Sequence, residues 1–208
     1  MKFHAFNDDG SDTINLLLDH NTTSSVAWAS SSVYENKNGP IDILSQLKTD
    51  TNAWVGTETP ENYSIAQSDQ DSGAKYTIDY SNYKARLITA SEVARITKNT
   101  TWNEATSTNF FYFDTNTETE STTCKNGDIS GCQYGWLYDR TNDYYALYGC
   151  LNNSNKYIIG YLTASSRASN FKEAWYVSFD GVLGYKQVDH ANDIGARPVI
   201  EVLKSKLN

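Results

Sequence analysis

The chain opens with two short apolar runs separated by turn-forming residues. Phe3–Phe6 and Thr13–Asp19 (TINLLLD) have the character of strands, and the sequence NDDG between them supplies turn chemistry. We therefore expect an antiparallel hairpin over residues 1–20. A loop follows it, and Val26–Trp28 is predicted to be a short apolar anchor.

Two later segments have the apolar spacing of helices. Apolar residues recur at helical intervals over Ile41–Leu47, directly after Pro40, whose fixed φ suits a first helical position. This spacing predicts a helix to about residue 49 with all of these apolar residues on its buried face. A second helix is predicted after Thr89, which with Glu92 matches a capping box, and this helix extends to about Lys98.

The second half of the chain is dominated by short aromatic and β-branched runs. Residues 56–75 are polar and are predicted to form a surface loop, and Phe110–Phe113 is predicted to be a buried strand or turn. The pattern predicts an α+β fold, with two helices and several short, mostly antiparallel strands, in one domain over residues 1–208. The last strand carries Pro198 where a central strand would not tolerate it. The late strands are expected at Tyr134–Tyr138, Tyr144–Tyr148, Tyr157–Thr163, Trp175–Phe179, Val182–Tyr185 and Pro198–Leu203.

Charge and composition narrow the class of partner. The net charge is −8 and the isoelectric point is near 4.8, which disfavours nucleic acid or an anionic membrane as a ligand. No apolar run approaches the length of a membrane-spanning helix. Fifteen tyrosines and five tryptophans suit a recognition surface, although a β-rich fold is also enriched in aromatic residues.

The start of the sequence carries no secretory signal. Met1 and Lys2 lead directly into the predicted first strand. We therefore expect that an export signal or anchor belongs to an upstream segment, and that the protein is secreted or displayed on the cell surface.

The three cysteines suggest a disulfide bond rather than a metal site. Cys124 and Cys132 bracket a polar turn, KNGDISG, which a disulfide between them would pin. Cys150 would then be free, or paired in place of one of the others. The histidines are scattered and no CxxC spacing occurs, so neither zinc nor any other cofactor is predicted. His190 lies between two aspartates and is interpreted as an exposed loop residue rather than as a catalytic base.

Three segments, taken in order, resemble a known family. Lys84–Ile96 (KARLITASEVARI) resembles the RLPTEAEW strand-to-helix segment of the formylglycine-generating-enzyme superfamily, whose fold is C-type-lectin-like. Tyr161–Ser165 (YLTAS) resembles its W-T-S strand, and Gly195–Val199 (GARPV) resembles its terminal strand. The resemblance covers roughly residues 80–203. It implies a C-type-lectin-like fold in which the N-terminal hairpin pairs with the terminal strand.

The chain resembles the bacterial lectin-fold domains of surface, pilin-like or phage proteins more closely than it resembles the enzymes of this superfamily. Some of these are variable proteins of diversity-generating retroelements, whose ligand-binding face near the C-terminus is rewritten by mutagenesis. The enzyme branch of the superfamily has a pair of reactive cysteines near its C-terminal end, whereas the last cysteine here is Cys150. The calcium motifs E-P-N, Q-P-D and W-N-D of sugar-binding relatives are also absent.

These patterns predict a non-catalytic ligand-binding domain, of receptor or adhesin type, with a variable C-terminal face. Its partner is expected to be a protein or glycan on another cell or surface. The alternatives are a structural pilus or fibre subunit and an enzyme of the formylglycine-generating type. Trp175, Val177, Gly181, Gly184 and Val199 are predicted to be framework. The predicted contact residues, which are expected to be exposed, are Tyr144, Tyr145, Leu147, Tyr148, Phe171, Ser178, Phe179, Asp180, Val182, Leu183, Tyr185, Gln187 and Asp189.

Overall fold

The described part of the chain combines two α-helices with short, mostly antiparallel strands, which is an α+β fold. The computed structural model describes residues 1–7, 10–23, 25–30, 35–65, 76–103, 109–111, 134–137, 150–151, 157–178 and 181–207. The helices are α1, Ile41–Thr51, and α2, Ala90–Ile96. The strands are β1 Phe3–Asn7, β2 Thr13–Leu18, β3 Tyr63–Ile65, β4 Tyr76–Ile78, β5 Arg86–Leu87, β6 Phe110–Phe111, β7 Cys150–Leu151, β8 Tyr157–Ile158, β9 Gly160–Ser166, β10 Glu173–Ser178, β11 Val182–Gln187, β12 Ile194–Gly195 and β13 Pro198–Leu203.

One sheet joins the beginning of the chain to its final strand, in the order β1-β2-β13-β5. The predicted N-terminal hairpin is confirmed, and β13 pairs antiparallel with β2, placing Ile200 opposite Leu16. The expectation about Pro198 was wrong, because β13 lies between two strands. Pro198 is the first residue of β13 and pairs with Leu87 on β5, and a strand tolerates proline at its first position.

The second sheet has the order β12-β9-β10-β11-β6, with β12 parallel to β9. All seven residues of β9 are buried, since a hydrophobic cluster covers each face of the sheet. Leu162 and Ala164 belong to one cluster, whereas Tyr161, from the alternate set of positions, belongs to the other. The fully buried Trp28 confirms the predicted apolar anchor, and its indole donates a hydrogen bond of 3.0 Å to the Thr163 carbonyl.

The two helices start where the sequence places them. In α1, Ile43, Leu44 and Leu47 are buried as predicted, whereas Ile41 is 48% exposed, so its assignment to the buried face was wrong. The α2 capping box is confirmed. The Thr89 hydroxyl accepts from the Glu92 amide at 3.1 Å, and the Glu92 carboxylate accepts from the Thr89 amide at 2.8 Å.

Three predicted segments differ from the structure. Tyr157–Thr163 was expected to be one strand, but it is divided between β8 and β9, which belong to different sheets. Residues 56–75 were expected to be a loop, but β3 lies within them and pairs with β4. Tyr134–Tyr138 was expected to be a strand, yet Gly135–Leu137 forms a 3-10 turn. The carbonyl of Leu137 accepts hydrogen bonds from the Tyr161 hydroxyl and from the Arg197 guanidinium instead of from a neighbouring strand.

Candidate functional site

The predicted framework of the C-terminal region is confirmed as buried structure. Trp175, Val177, Gly181, Gly184 and Val199 are all buried. In the β10–β11 ladder Trp175 lies opposite Tyr185. The ring centroid of Trp175 is 5.0 Å from that of Trp102 and 5.9 Å from that of Tyr185, both in edge-on geometry. These aromatic contacts hold in place the face of the β10–β11 hairpin that carries Trp175 and Tyr185.

Tyr185 lies at the margin of this buried layer and is itself half-buried. The Arg167 guanidinium lies 3.5 Å from the centroid of the Tyr185 ring, within the range of a cation–π contact. Arg167 also forms an ion pair with Glu173, and the two side chains are only 17% and 18% exposed. The Tyr185 ring is therefore held between Trp175 and a partly buried cation. This arrangement gives the surface a fixed aromatic group.

The other face of the hairpin depends on a glycine. Gly184 lies opposite Tyr176 in the ladder, and a Cβ at position 184 would be 2.8 Å from Cε1 of the Tyr176 ring. The Lys186 ammonium lies 5.8 Å from the centroid of the same ring. A side chain at position 184 would therefore displace Tyr176, which packs against the cluster that contains Leu162.

The loop between β9 and β10 is held by a buried asparagine. The side-chain amide nitrogen of Asn36 donates to the carbonyls of Arg167, Asn170 and Glu173 at 3.0, 2.9 and 2.8 Å. The Asn36 backbone amide donates to the Phe171 carbonyl at 2.6 Å. Since Asn36 is fully buried, these bonds fix the loop that presents Phe171. Sequence reasoning missed this residue, because a single Asn before the first helix has no pattern that marks it as buried.

The segment after β11 is polar and more open. Gln187 and Asp189 are exposed. The His190 imidazole lies 2.5 Å from an Asp193 carboxylate oxygen, and the two side chains are about 30% exposed. The Asp193 carbonyl accepts from the Ile159 amide at 2.7 Å, which attaches this segment to the second sheet. These contacts fit the interpretation of His190 as a loop residue.

The predicted contact residues therefore divide into three groups. Phe171, Val182 and Tyr185 are half-buried, and Gln187 and Asp189 are exposed, so these five have surface available for a ligand. Six others lie outside the described residues, as do the disulfide candidates Cys124 and Cys132. The six are Tyr144, Tyr145, Leu147, Tyr148, Phe179 and Asp180.

The expected exposure was wrong for Ser178 and Leu183. Leu183 is fully buried, because it lies opposite Val177 on the face of the hairpin that packs into the cluster around Trp175. Ser178 is 3% exposed, because it ends β10 beside the first residue of β9 and directs its hydroxyl to the Ile159 carbonyl at 3.4 Å. Neither side chain can contact a ligand without a rearrangement of the sheet.

Among the described residues, no group of three or more His, Cys, Asp or Glu side chains is placed to hold a metal ion. Within the same part of the chain, no helix is both long enough and apolar enough to cross a membrane. No family model, no curated protein and no solved structure matches the chain.

Proposed function

We propose that this chain is a non-catalytic ligand-binding domain with a C-type-lectin-like fold. Its ligand would bind the surface formed by Phe171, Tyr185, Gln187 and Asp189, here called the C-terminal surface. The observation that carries the proposal is the fixation of Tyr185 between Trp175 and the Arg167 guanidinium, 3.5 Å from its ring. The pairing of β2 with β13, which the family resemblance implied, supports the fold assignment.

A protein ligand suits this surface best. Tyrosine and arginine are enriched among the residues that dominate protein–protein binding energies. A ring held before binding loses little conformational entropy on complex formation, and the Asn36 bonds extend the same advantage to the Phe171 loop. The exposed Gln187 and Asp189 would supply polar contacts at the edge of such an interface.

We further propose that the domain is displayed outside the cell and that its C-terminal surface is diversified. Half-buried or exposed positions in 182–189 are interspersed with buried positions that packing constrains, such as Leu183 and Gly184. Replacement should be tolerated at the exposed Gln187 and Asp189, because their side chains lie outside the buried layers. The genomic test is a near-copy of the 3′ coding region that differs mainly at adenines and lies beside a reverse transcriptase gene.

The biochemical test begins with capture of a partner. The domain, carrying a photo-crosslinking amino acid at position 187, is exposed to solubilised surface proteins of neighbouring cells. Each captured protein is then purified and titrated against two triple-alanine variants. One variant changes Phe171, Gln187 and Asp189, and the control changes Ser45, Lys48 and Lys84, which are exposed on and near the first helix.

The first variant is expected to weaken binding at least tenfold, or about 1.4 kcal/mol, while the control variant binds like the parent chain. Equal affinities for both variants would refute the proposal. Concentration-dependent self-association in size-exclusion chromatography would favour the fibre-subunit alternative instead. An oxidase activity that is lost in Cys150→Ser would favour the enzyme.

A further inference from the structure

A concave surface elsewhere on the molecule shares no residue with the C-terminal surface. It is a cleft of about 530 Å³, bounded by the end of the β1–β2 hairpin, by β5 and β13, and by the first turn of α2. This volume falls within the range typical of small-molecule sites, about 300–1,000 Å³. Unlike most such sites, however, it has only one aliphatic lining residue, Leu87.

A buried ionic network forms one wall of the cleft. Arg86 donates to both Glu92 carboxylate oxygens at 2.7 and 2.8 Å, and its Nε donates to Glu201 at 3.0 Å. It also donates to the Asn15 side chain and to the Leu87 carbonyl, each at 3.1 Å. All three guanidinium nitrogens therefore have acceptors within the protein. Burial opposes the charge, but the two glutamates outweigh it and raise the pKa of Arg86, so the guanidinium stays charged.

This network decides which charges the cleft can accept. Among the described residues, the lining contains two arginines and three glutamates, whose formal charge is −1. Because the donors of Arg86 are already used, an anionic ligand would meet three glutamates and would have the exposed Arg95 as its cationic partner in the described lining. A metal cation between Glu92 and Glu201 would have to displace the Arg86 guanidinium that joins them. An apolar ligand would leave the polar lining without hydrogen bonds.

The remaining lining suits a neutral ligand that is rich in hydroxyl groups. Asparagine amides and serine and threonine hydroxyls each offer donors and acceptors, and the glutamate carboxyl groups offer acceptors. Tyr63, which is half-buried, adds aromatic surface. Tyr80 is fully buried behind the cleft. We propose that this cleft binds a neutral saccharide.

The test uses the whole chain and neutral trisaccharides of glucose, xylose, mannose and N-acetylglucosamine, with trigalacturonic acid as an anionic comparison. Binding is followed by chemical-shift changes in two-dimensional NMR spectra. Ser91→Trp and Ser11→Trp each place a large side chain at an exposed residue that lines the cleft. Ser45→Trp makes the same change at an exposed position of α1 and is the matched control.

At least one neutral trisaccharide is expected to bind saturably, with a dissociation constant of about 1 mM or lower, and to shift the amides of residues 15, 91 and 95. Ser91→Trp and Ser11→Trp should weaken this binding at least tenfold, while Ser45→Trp and the C-terminal-surface triple variant leave it unchanged. No saturable binding of any neutral trisaccharide would overturn the inference, as would tighter binding of trigalacturonic acid. Loss of binding only in the C-terminal-surface variant would also overturn it, and would place the sugar on the other surface.

Discussion

Replacement of Arg197 by methionine is expected to be among the most destabilising single changes in the described part of the chain. Arg197 is fully buried and donates to three backbone carbonyls, those of Leu18, Trp136 and Leu137. Its guanidinium also lies 5.1 Å from the centroid of the Tyr161 ring. One side chain therefore ties the first sheet to the 3-10 turn at residues 135–137.

The magnitude follows from what methionine would leave behind. The Leu137 carbonyl would keep the hydrogen bond of 2.8 Å from the Tyr161 hydroxyl, but the Leu18 and Trp136 carbonyls would lose the donors described here. A buried polar group without a partner costs about 1–3 kcal/mol, so two of them cost about 2–6 kcal/mol. For a chain of this size, a central value of about 4 kcal/mol corresponds to a fall in melting temperature of about 8–16 °C.

Urea unfolding followed by circular dichroism measures this free energy. Arg197→Lys should remain at least about 1 kcal/mol less stable than the parent chain. The single ammonium nitrogen of lysine cannot replace a planar guanidinium group whose separate nitrogens donate to different carbonyls. Arg95→Met, at an exposed position of α2, is the control and should change stability by less than about 0.5 kcal/mol. A loss below about 1 kcal/mol in Arg197→Met would refute the reasoning, since it would mean that the carbonyls find water or other donors.

Three further changes test local features by the same unfolding measurement. Burial alone would raise the Glu92 pKa, but the Arg86 charge and the Thr89 hydrogen bonds hold it below its ordinary 4.5. The stability that Glu92 contributes should therefore be complete above about pH 4.5 and be lost at lower pH. Glu92→Gln should make the free energy of unfolding depend less on pH in that acidic range. Thr89→Ala should cost about 1 kcal/mol through loss of the cap, and Thr89→Ser clearly less. Gly160→Ala should lower the free energy of unfolding by more than about 3 kcal/mol, because its Cβ would lie 2.0 Å from a backbone carbonyl oxygen of β10. Gly10→Asn should lower it much less, because no atom lies within 4 Å of the Cβ position there.

Elements that short-range chemistry determines could be predicted from the sequence. The capping box needs only Thr89 and Glu92, three residues apart, and the first hairpin needs two apolar runs and a turn. The framework of the C-terminal hairpin was also predictable, because tryptophan, valine and glycine at those positions have few roles other than packing. The α+β class followed from the number and order of such elements.

Features that depend on distant residues could not be predicted. Asn36 and Arg197 act through carbonyls more than 130 and 170 residues away, and no local pattern marks a backbone carbonyl as their partner. Leu183 was misplaced for a related reason. Alternation along a strand predicts two faces, but it does not show that a second layer containing Tyr134 and Leu137 covers the face of β11 that carries Leu183. The ionic network at Arg86 likewise needs Glu201 from the far end of the chain.

The pairing of β2 with β13 also has a consequence during synthesis on the ribosome. About 180 residues separate the end of β2 from the start of β13, so the hairpin emerges long before the strand that completes its sheet. At the usual elongation rates this delay is roughly 10–40 s. Throughout that interval, the edge of β2 offers unpaired amides and carbonyls to any other extended segment. A nascent chain of this protein is therefore expected to need protection of its first twenty residues until its last strand is translated.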